Sequence, residues 1–174
     1  YGGVWGENFW YVKTDVSDDE RLNRFVPREV IDPAARRRFV APDEEYNHLK
    51  TAAAAKKLAD KGVRVNLGAH GQREGLAAHW ELWMLQQGGM SAHEALRCGT
   101  LNGARYLGMD SDLGSLEEGK LADIIVVEGD PLADIRDSKS VAYTVLGGKV
   151  YQADSMKRIG PGSLPEPKLW WRSN

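Results

Sequence analysis

One cysteine, Cys98, stands in 174 residues, so no internal disulfide framework braces this chain. A lone thiol does not select a compartment, and Cys98 reads as a small apolar residue inside a helix. No apolar run approaches the roughly 20 residues of a membrane span, and no stretch has the charged-then-apolar pattern of a secretion signal. Neither sign of charge is in excess. With 23 basic against 25 acidic residues and a formal net charge of -2, the electrostatic case for a nucleic-acid or anionic-membrane partner falls away. Internal repeats and low-complexity tracts are also missing. What remains, 42% hydrophobic and 28% charged, is the composition of an ordinary soluble globular protein, and it does not choose between cytoplasm and periplasm. The length suits one domain, or one domain plus a piece of another. The opening Tyr1-Gly2-Gly3-Val4-Trp5 reads like the middle of a structure, which predicts a piece of a longer chain.

The organising stretch runs from Val63 through Asn66-Leu67-Gly68-Ala69-His70-Gly71-Gln72 to Leu76. Val63, Val65 and Leu67 alternate as a half-buried strand requires, and Gly62 before them suits the end of the preceding helix. Helix, strand, loop and helix therefore follow in order. In α/β folds, ligands collect beyond the carboxyl ends of parallel strands, which would aim His70 into a site. The competing reading is a histidine that caps a strand end.

Upstream, Trp5, Phe9, Trp10 and Tyr11 among glycines suggest a strand end and its loop, with rings that need a cover. Ser17-Asp18-Asp19-Glu20 predicts a capped helix start, with Pro27 as its stop. The basic run Arg36-Arg37-Arg38 reads as a solvated face. A helix is expected from Pro42 through Lys61, with Tyr46, Leu49, Ala53 and Leu58 inward and His48 on the surface. After His70, Leu76, Trp80, Trp83 and Met84 fall at helical spacing and predict a core face. His79 and Glu81, near the start of that helix, are candidates for supporting the His70 site, the alternative for His79 being a buried, hydrogen-bonded imidazole. Gly88-Gly89 ends the helix. Ser91 with Glu94 makes a capping box for the next, where Leu96, Gly99, Gly103 and Leu107 share a narrow stripe and His93 lies in an exposed first turn. Beyond Gly108 the texture turns to β: an apolar run over 121–127, then Val141 to Leu146 meeting Val150-Tyr151 across Gly147-Gly148 as a hairpin. Trp170-Trp171, in a proline-rich tail, must dock on a neighbour or leave the tail disordered.

Leu113-Gly114-Ser115-Leu116-Glu117-Glu118-Gly119-Lys120-Leu121-Ala122-Asp123-Ile124-Ile125-Val126-Val127, then Gly129-Asp130-Pro131-Leu132 and Val145-Leu146-Gly147-Gly148-Lys149-Val150, resemble the carboxyl-terminal signature of the metal-dependent amidohydrolase superfamily. Glu94-Ala95-Leu96-Arg97 with Asn102-Gly103-Ala104 is similar to its last barrel helix. Gly68-Ala69-His70-Gly71-Gln72 with His79-Trp80-Glu81-Leu82 looks closest to the branch fused to TolB-like β-propellers. The resemblance implies an α/β fold: the C-terminal part of a (β/α)8 TIM barrel over residues 1–108, C-terminal strands of a small composite β-sandwich over 109–156, and a tail over 157–174.

It also implies hydrolysis of C–N bonds, amide or cyclic amide, in small-molecule or peptide-like substrates by a water activated on one or two divalent metals, zinc first among them. Family members bind that metal through a His-x-His after the first strand, further ligands midway, and an aspartate at the end of the last strand that also accepts a proton. Two departures stand out. The histidines are 48, 70, 79 and 93, so no His-x-His is present, and a barrel of about 250 residues would place the missing ligands upstream of Tyr1. His70 occupies the position of the usual aspartate, and an imidazole committed to a metal cannot also take a proton from water. Either His70 is a metal ligand and the base lies elsewhere, or this branch has altered its metal site; His70 is the expected catalytic residue, with His79, Glu81 and Gln72 as supporting or substrate-facing residues. The chain alone is expected to be inactive and to associate with copies of itself. The alternative is a non-catalytic structural or interaction module that retains the fold.

Overall fold

The computed structural model describes residues 4–35, 39–70, 73 and 75–172. Among them, a helical layer of α1 (Val4–Lys13), α2 (Glu20–Phe25), α3 (Arg28–Ala35), α4 (His48–Asp60), α5 (Leu76–Gln87), α6 (Ala92–Cys98) and α7 (Leu101–Leu107) precedes a four-stranded antiparallel sheet. The sheet is a meander of β1 (Ile124–Val127), β2 (Val141–Leu146), β3 (Lys149–Gln152) and β4 (Arg158–Ile159), each strand paired with the next.

The core is built on α5, which is buried almost all round: Ala77, Trp80, Leu82, Trp83, Met84 and Leu85 are all inside. Helix α4 packs along it, and α1 supplies aromatic partners. Trp10 meets Trp83 edge to face at 5.1 Å, and Tyr11 meets Trp80 at 5.4 Å. Phe9 reaches Tyr46 at 5.2 Å, and Trp5 packs on Phe39 at the same distance. The expectation of a strand end with rings in need of an outside cover is thus corrected. The helical backbone spreads the rings at 9, 10 and 11 around its axis, and all three are buried, whereas an extended segment would place residue 10 on the face opposite 9 and 11. Tertiary packing outweighs the glycine-rich, β-favouring local sequence here.

Helix α4 is shifted relative to its sequence pattern. The inward positions are His48, Ala52, Ala55 and Ala59 rather than Leu49, Ala53 and Leu58; Leu58 is 51% exposed. The predicted surface histidine, His48, is completely buried, packed at 4.7 Å on Phe9 with Nε2 3.4 Å from the Gln87 carboxamide oxygen. Close approach explains the shift. A Cβ on Gly88 would lie 2.3 Å from the carbonyl carbon of Ala52, so the small side of α4 faces the end of α5. Asp19, two residues after Ser17, caps α2 through the Leu22 amide, and the Ser91–Glu94 capping box on α6 is fully formed. The expected stripe is only half used: a Cβ on Gly99 would meet Leu82 at 3.5 Å and Leu67 at 3.6 Å, but the helix breaks at Gly99-Thr100, Gly103 has open space beside it and Leu107 is 67% exposed.

The predicted strand over 63–67 is not in a sheet. Its backbone is held by helices instead, with the Leu67 amide donating to Cys98 O at 2.9 Å and the Asn102 side chain donating to Val65 O at 3.0 Å. A strand needs a neighbouring backbone, and among the described residues none lies alongside. The hairpin does form, with Val145 opposite Val150 and both turn glycines at positive φ, 53° and 76°, as a tight two-residue turn demands. No second sheet exists among the described residues; Val126 and Tyr143, 45% and 37% exposed, lie on one sheet face with Ile124, Val145, Val150 and Ile159. The loop between β1 and β2 fastens the sheet to the helices, because Ile135 is buried and the Trp83 indole N–H donates to its carbonyl at 2.9 Å. The tail is tethered by an Arg24–Glu166 ion pair of 2.8 Å, with Trp170 left 76% exposed.

Gly88→Ala should lower stability by about 3 kcal/mol, the upper range for overpacking against unyielding backbone. Chemical denaturation checks this; a loss no greater than that of Gly103→Ala, where space is open, would contradict the close helix contact.

Candidate functional site

The site is built around the loop that follows residues 63–67. Glu81, on α5 and 8% exposed, accepts the Gly68 amide at 2.9 Å, so a buried carboxylate holds the backbone two residues before His70. His70 is exposed and takes φ 57°, a left-handed conformation that costs a non-glycine residue energy unless its surroundings impose it. Arg73 follows, only 2% exposed, its guanidinium 5.3 Å from the centre of the Tyr11 ring. Charge type alone gave no reason to single it out, since the sequence shows one more polar residue in a glycine-rich loop. Asn66 is a second feature the sequence concealed: its carboxamide oxygen is buried with no hydrogen-bond partner among the described residues.

Helix geometry separates the other candidates. Positions 79 and 81 point about 200° apart around a helix, so Glu81 faces the His70 loop while His79 faces the sheet side. There the imidazole Nδ1 lies 3.1 Å from Ser138 Oγ, which also accepts the Trp83 indole N–H at 3.0 Å. His79 also borders a cleft of about 890 Å³ lined by Leu22, Phe25, Leu76 and Met156. Burial, followed by the positive charges of Arg21 and Lys139, lowers its pKa to about 4, so the ring is neutral near pH 7. His93 is exposed and Cys98 is buried in α6, where burial raises the pKa of its thiol. Gln72 and Arg36 to Arg38 lie outside the described residues.

Residues 10–151 match the amidohydrolase family. The chain belongs to that family. It is 33% identical over 123 residues to an ochratoxinase of Aspergillus niger, an alignment covering 68% of this chain and 24% of the relative. It is also 33% identical over 98 residues to a 5-methylthioadenosine/S-adenosylhomocysteine deaminase of Moorella thermoacetica, covering 50% of this chain and 23% of that protein. Among solved structures, a Xaa-Pro dipeptidase with methionine bound in its active site aligns with a TM-score of 0.56 and 26% identity over 84% of this chain and 32% of the other. This amidohydrolase chain thus spans about a quarter of the length of the curated relatives it matches, 24% and 23% in these two.

Members of the family are generally metal-dependent, which makes the donor set the next question. Among the described residues no group of three His, Cys, Asp or Glu side chains could hold a metal ion. His70 lies on the exposed loop and His79 contacts Ser138, so these residues do not by themselves fit a metal.

The depressed pKa of His79 sets a pH dependence. Unfolded, the ring binds a proton below about 6.5; folded, it does so only below about 4. Stability is therefore fully present above 6.5 and lost as pH falls toward 4, by up to about 3 kcal/mol. His48, whose pKa burial also lowers, adds in the same direction. Thermal unfolding between pH 7 and pH 4 should show a falling midpoint, with a shallower slope for His79→Gln; an unchanged slope in that variant would assign the acid sensitivity elsewhere.

Proposed function

We propose that this chain is the carboxyl-terminal portion of a metal-dependent hydrolase of C–N bonds acting on small-molecule or peptide-like substrates. In this reading residues 1–108 are the last units of a (β/α)8 barrel, 109–156 are strands of a composite β-sandwich, and 157–174 form a tail; the resemblance of the loop motif to the branch fused to TolB-like β-propellers supports assigning the chain to that branch. The observation that carries the proposal is the family match over 10–151 combined with a loop that presents His70 to the exterior from a segment lacking its strand partners. The uncapped Asn66 oxygen supports it, because a buried unpaired acceptor costs about 1–3 kcal/mol that a donor from a neighbouring barrel strand would relieve.

His70 is the group this chain offers to the reacting centre, as ligand or as proton-transfer residue, with the metal and its remaining ligands supplied from outside the described residues. Glu81 supports it by holding Gly68. Gln72 is proposed to face substrate, and His79 to act through the joint with Ser138 rather than beside His70. The second reading, a non-catalytic module, is favoured by the absence of a three-donor group among the described residues. The coding sequence upstream of Tyr1 separates the two: an apolar strand followed by His-x-His supports the enzyme, and its absence supports the module.

Taken alone, the chain should be inactive and bind Zn²⁺ weakly, since a tight zinc site needs three or four protein ligands; tight stoichiometric uptake in calorimetry would contradict this. In the assembled enzyme, His70→Ala should lower kcat/KM a hundredfold or more, about 3 kcal/mol of transition-state stabilisation, with the folding midpoint nearly unchanged. His70→Asp, restoring the usual family residue, should retain part of the activity. Falling stability with intact specific activity in both variants would sink the assignment.

Exposed Val63 and the half-open sheet face also favour homo-oligomers. Light scattering coupled to size-exclusion chromatography should show a dimer or larger at micromolar concentration, and a well-behaved monomer would count against it.

A further inference from the structure

We propose that Asn102 is a positioning residue for His70: together with the Cys98 carbonyl it forms a substitute strand edge that sets the register of the segment over 65–70. The inference rests on the reading of His70 as the chemical group of this site for its functional meaning. The geometry stands apart from that reading.

In a parallel sheet, a neighbouring strand donates to the carbonyl of one residue and accepts from the amide of the residue two further on, along one edge. Here two helices supply both halves of that pattern. The side-chain amide of Asn102, the second residue of α7, donates to Val65 O at 3.0 Å, and Cys98 O accepts the Leu67 amide at 2.9 Å. Cys98 is the last residue of α6, where the helix leaves carbonyls over for other donors. Its sulfur, a weak acceptor, stands 3.9 Å from the same Asn102 nitrogen and so favours the orientation that turns the amide, not the oxygen, toward Val65. On the opposite edge the Gly68 amide donates to the Glu81 carboxylate at 2.9 Å.

Register decides where the imidazole points. Val65, Leu67 and Ala69 pack on the hydrophobic core while Gly68 and His70 are exposed, the alternation of an extended chain. A slip of one residue would exchange the two faces, turning three apolar side chains outward and His70 inward. The bond at Gly68 taken singly leaves the segment free to pivot about it. Two contacts on the other edge, at Val65 and Leu67, fix its line, and the backbone carries that line directly through Gly68 and Ala69 to His70. A reacting group needs such fixing, since its useful geometry is narrow to within a fraction of an ångström.

The test is NMR of the ¹⁵N-labelled chain. In the native protein the ¹⁵N–¹H heteronuclear NOE at Ala69 and His70 should match that of α5, and a value typical of a mobile loop there would already overturn the proposal. In Asn102→Leu, which keeps the bulk of the side chain and removes the donor, the NOE at both residues should fall to mobile-loop values and the Leu67 amide should exchange with solvent roughly tenfold faster, while α5 keeps its native values. A merely structural role predicts a lower unfolding midpoint with the order of Ala69 and His70 unchanged; that result in a folded Asn102→Leu protein overturns the proposal. If Asn102→Leu fails to fold, shown by loss of order in α5 as well, Asn102→Ser decides by the same readout: mobility confined to 65–70 supports the substitute edge, and unchanged order overturns it. Activity is not the readout, so an inert His70 in the kinetic experiment would refute the chemical reading while leaving this result intact.

Discussion

The edge-to-face meeting of α1 with α5 is the contact on which the rest of the molecule depends. Trp10 against Trp83 and Tyr11 against Trp80 contribute ring area and a favourable quadrupole geometry, about 0.5–1.5 kcal/mol per pair beyond burial. Both α5 rings have a second partner. Trp83 donates its indole N–H to Ile135 O and Ser138 Oγ, which docks the sheet. Trp80 meets Tyr11, and the buried Arg73 lies over the Tyr11 ring. One helix-to-helix contact therefore connects the sheet with the buried Arg73.

Because α5 is enclosed on nearly every side, the polar residues on it must each find a partner in a different direction. Glu81 finds the Gly68 amide and His79 finds Ser138. Their proximity in sequence suggested a common duty, but the turn of the helix divides them: one carboxylate serves the loop and one neutral imidazole serves the seam with the sheet. The same enclosure accounts for Gly88. Where α4 comes nearest to the end of α5, only a residue without a side chain fits against the Ala52 backbone.

Membership of the amidohydrolase family and the state of the site fit together through the segment over 63–70. The backbone of this segment is held by Cys98 O and Asn102, which leaves Val63 50% exposed and, among the described residues, the Asn66 oxygen without a partner. The alignments to the two curated relatives described span 24% and 23% of their lengths.

The sequence by itself determined whatever depends on neighbours a few positions away. The capping box of Ser91 and Glu94, the Gly147-Gly148 hairpin, the stop after α4 at Gly62 and the apolar run of β1 are local chemistry, and the family signature over 113–150 is a linear pattern. Only tertiary structure decided the rest. Whether Phe9, Trp10 and Tyr11 form a helix or a strand depended on how many rings α5 could receive at once, and that α4 turned His48 inward and Leu58 outward depended on the closeness allowed at Gly88. The strand expected at 63–67 lacks a ladder because a strand is a property of two backbones, and its own residues cannot supply the second. Arg73 was silent for a related reason. An arginine in a polar loop is indistinguishable from a solvated one until the fold brings Tyr11, 62 positions earlier in the chain, beneath its guanidinium.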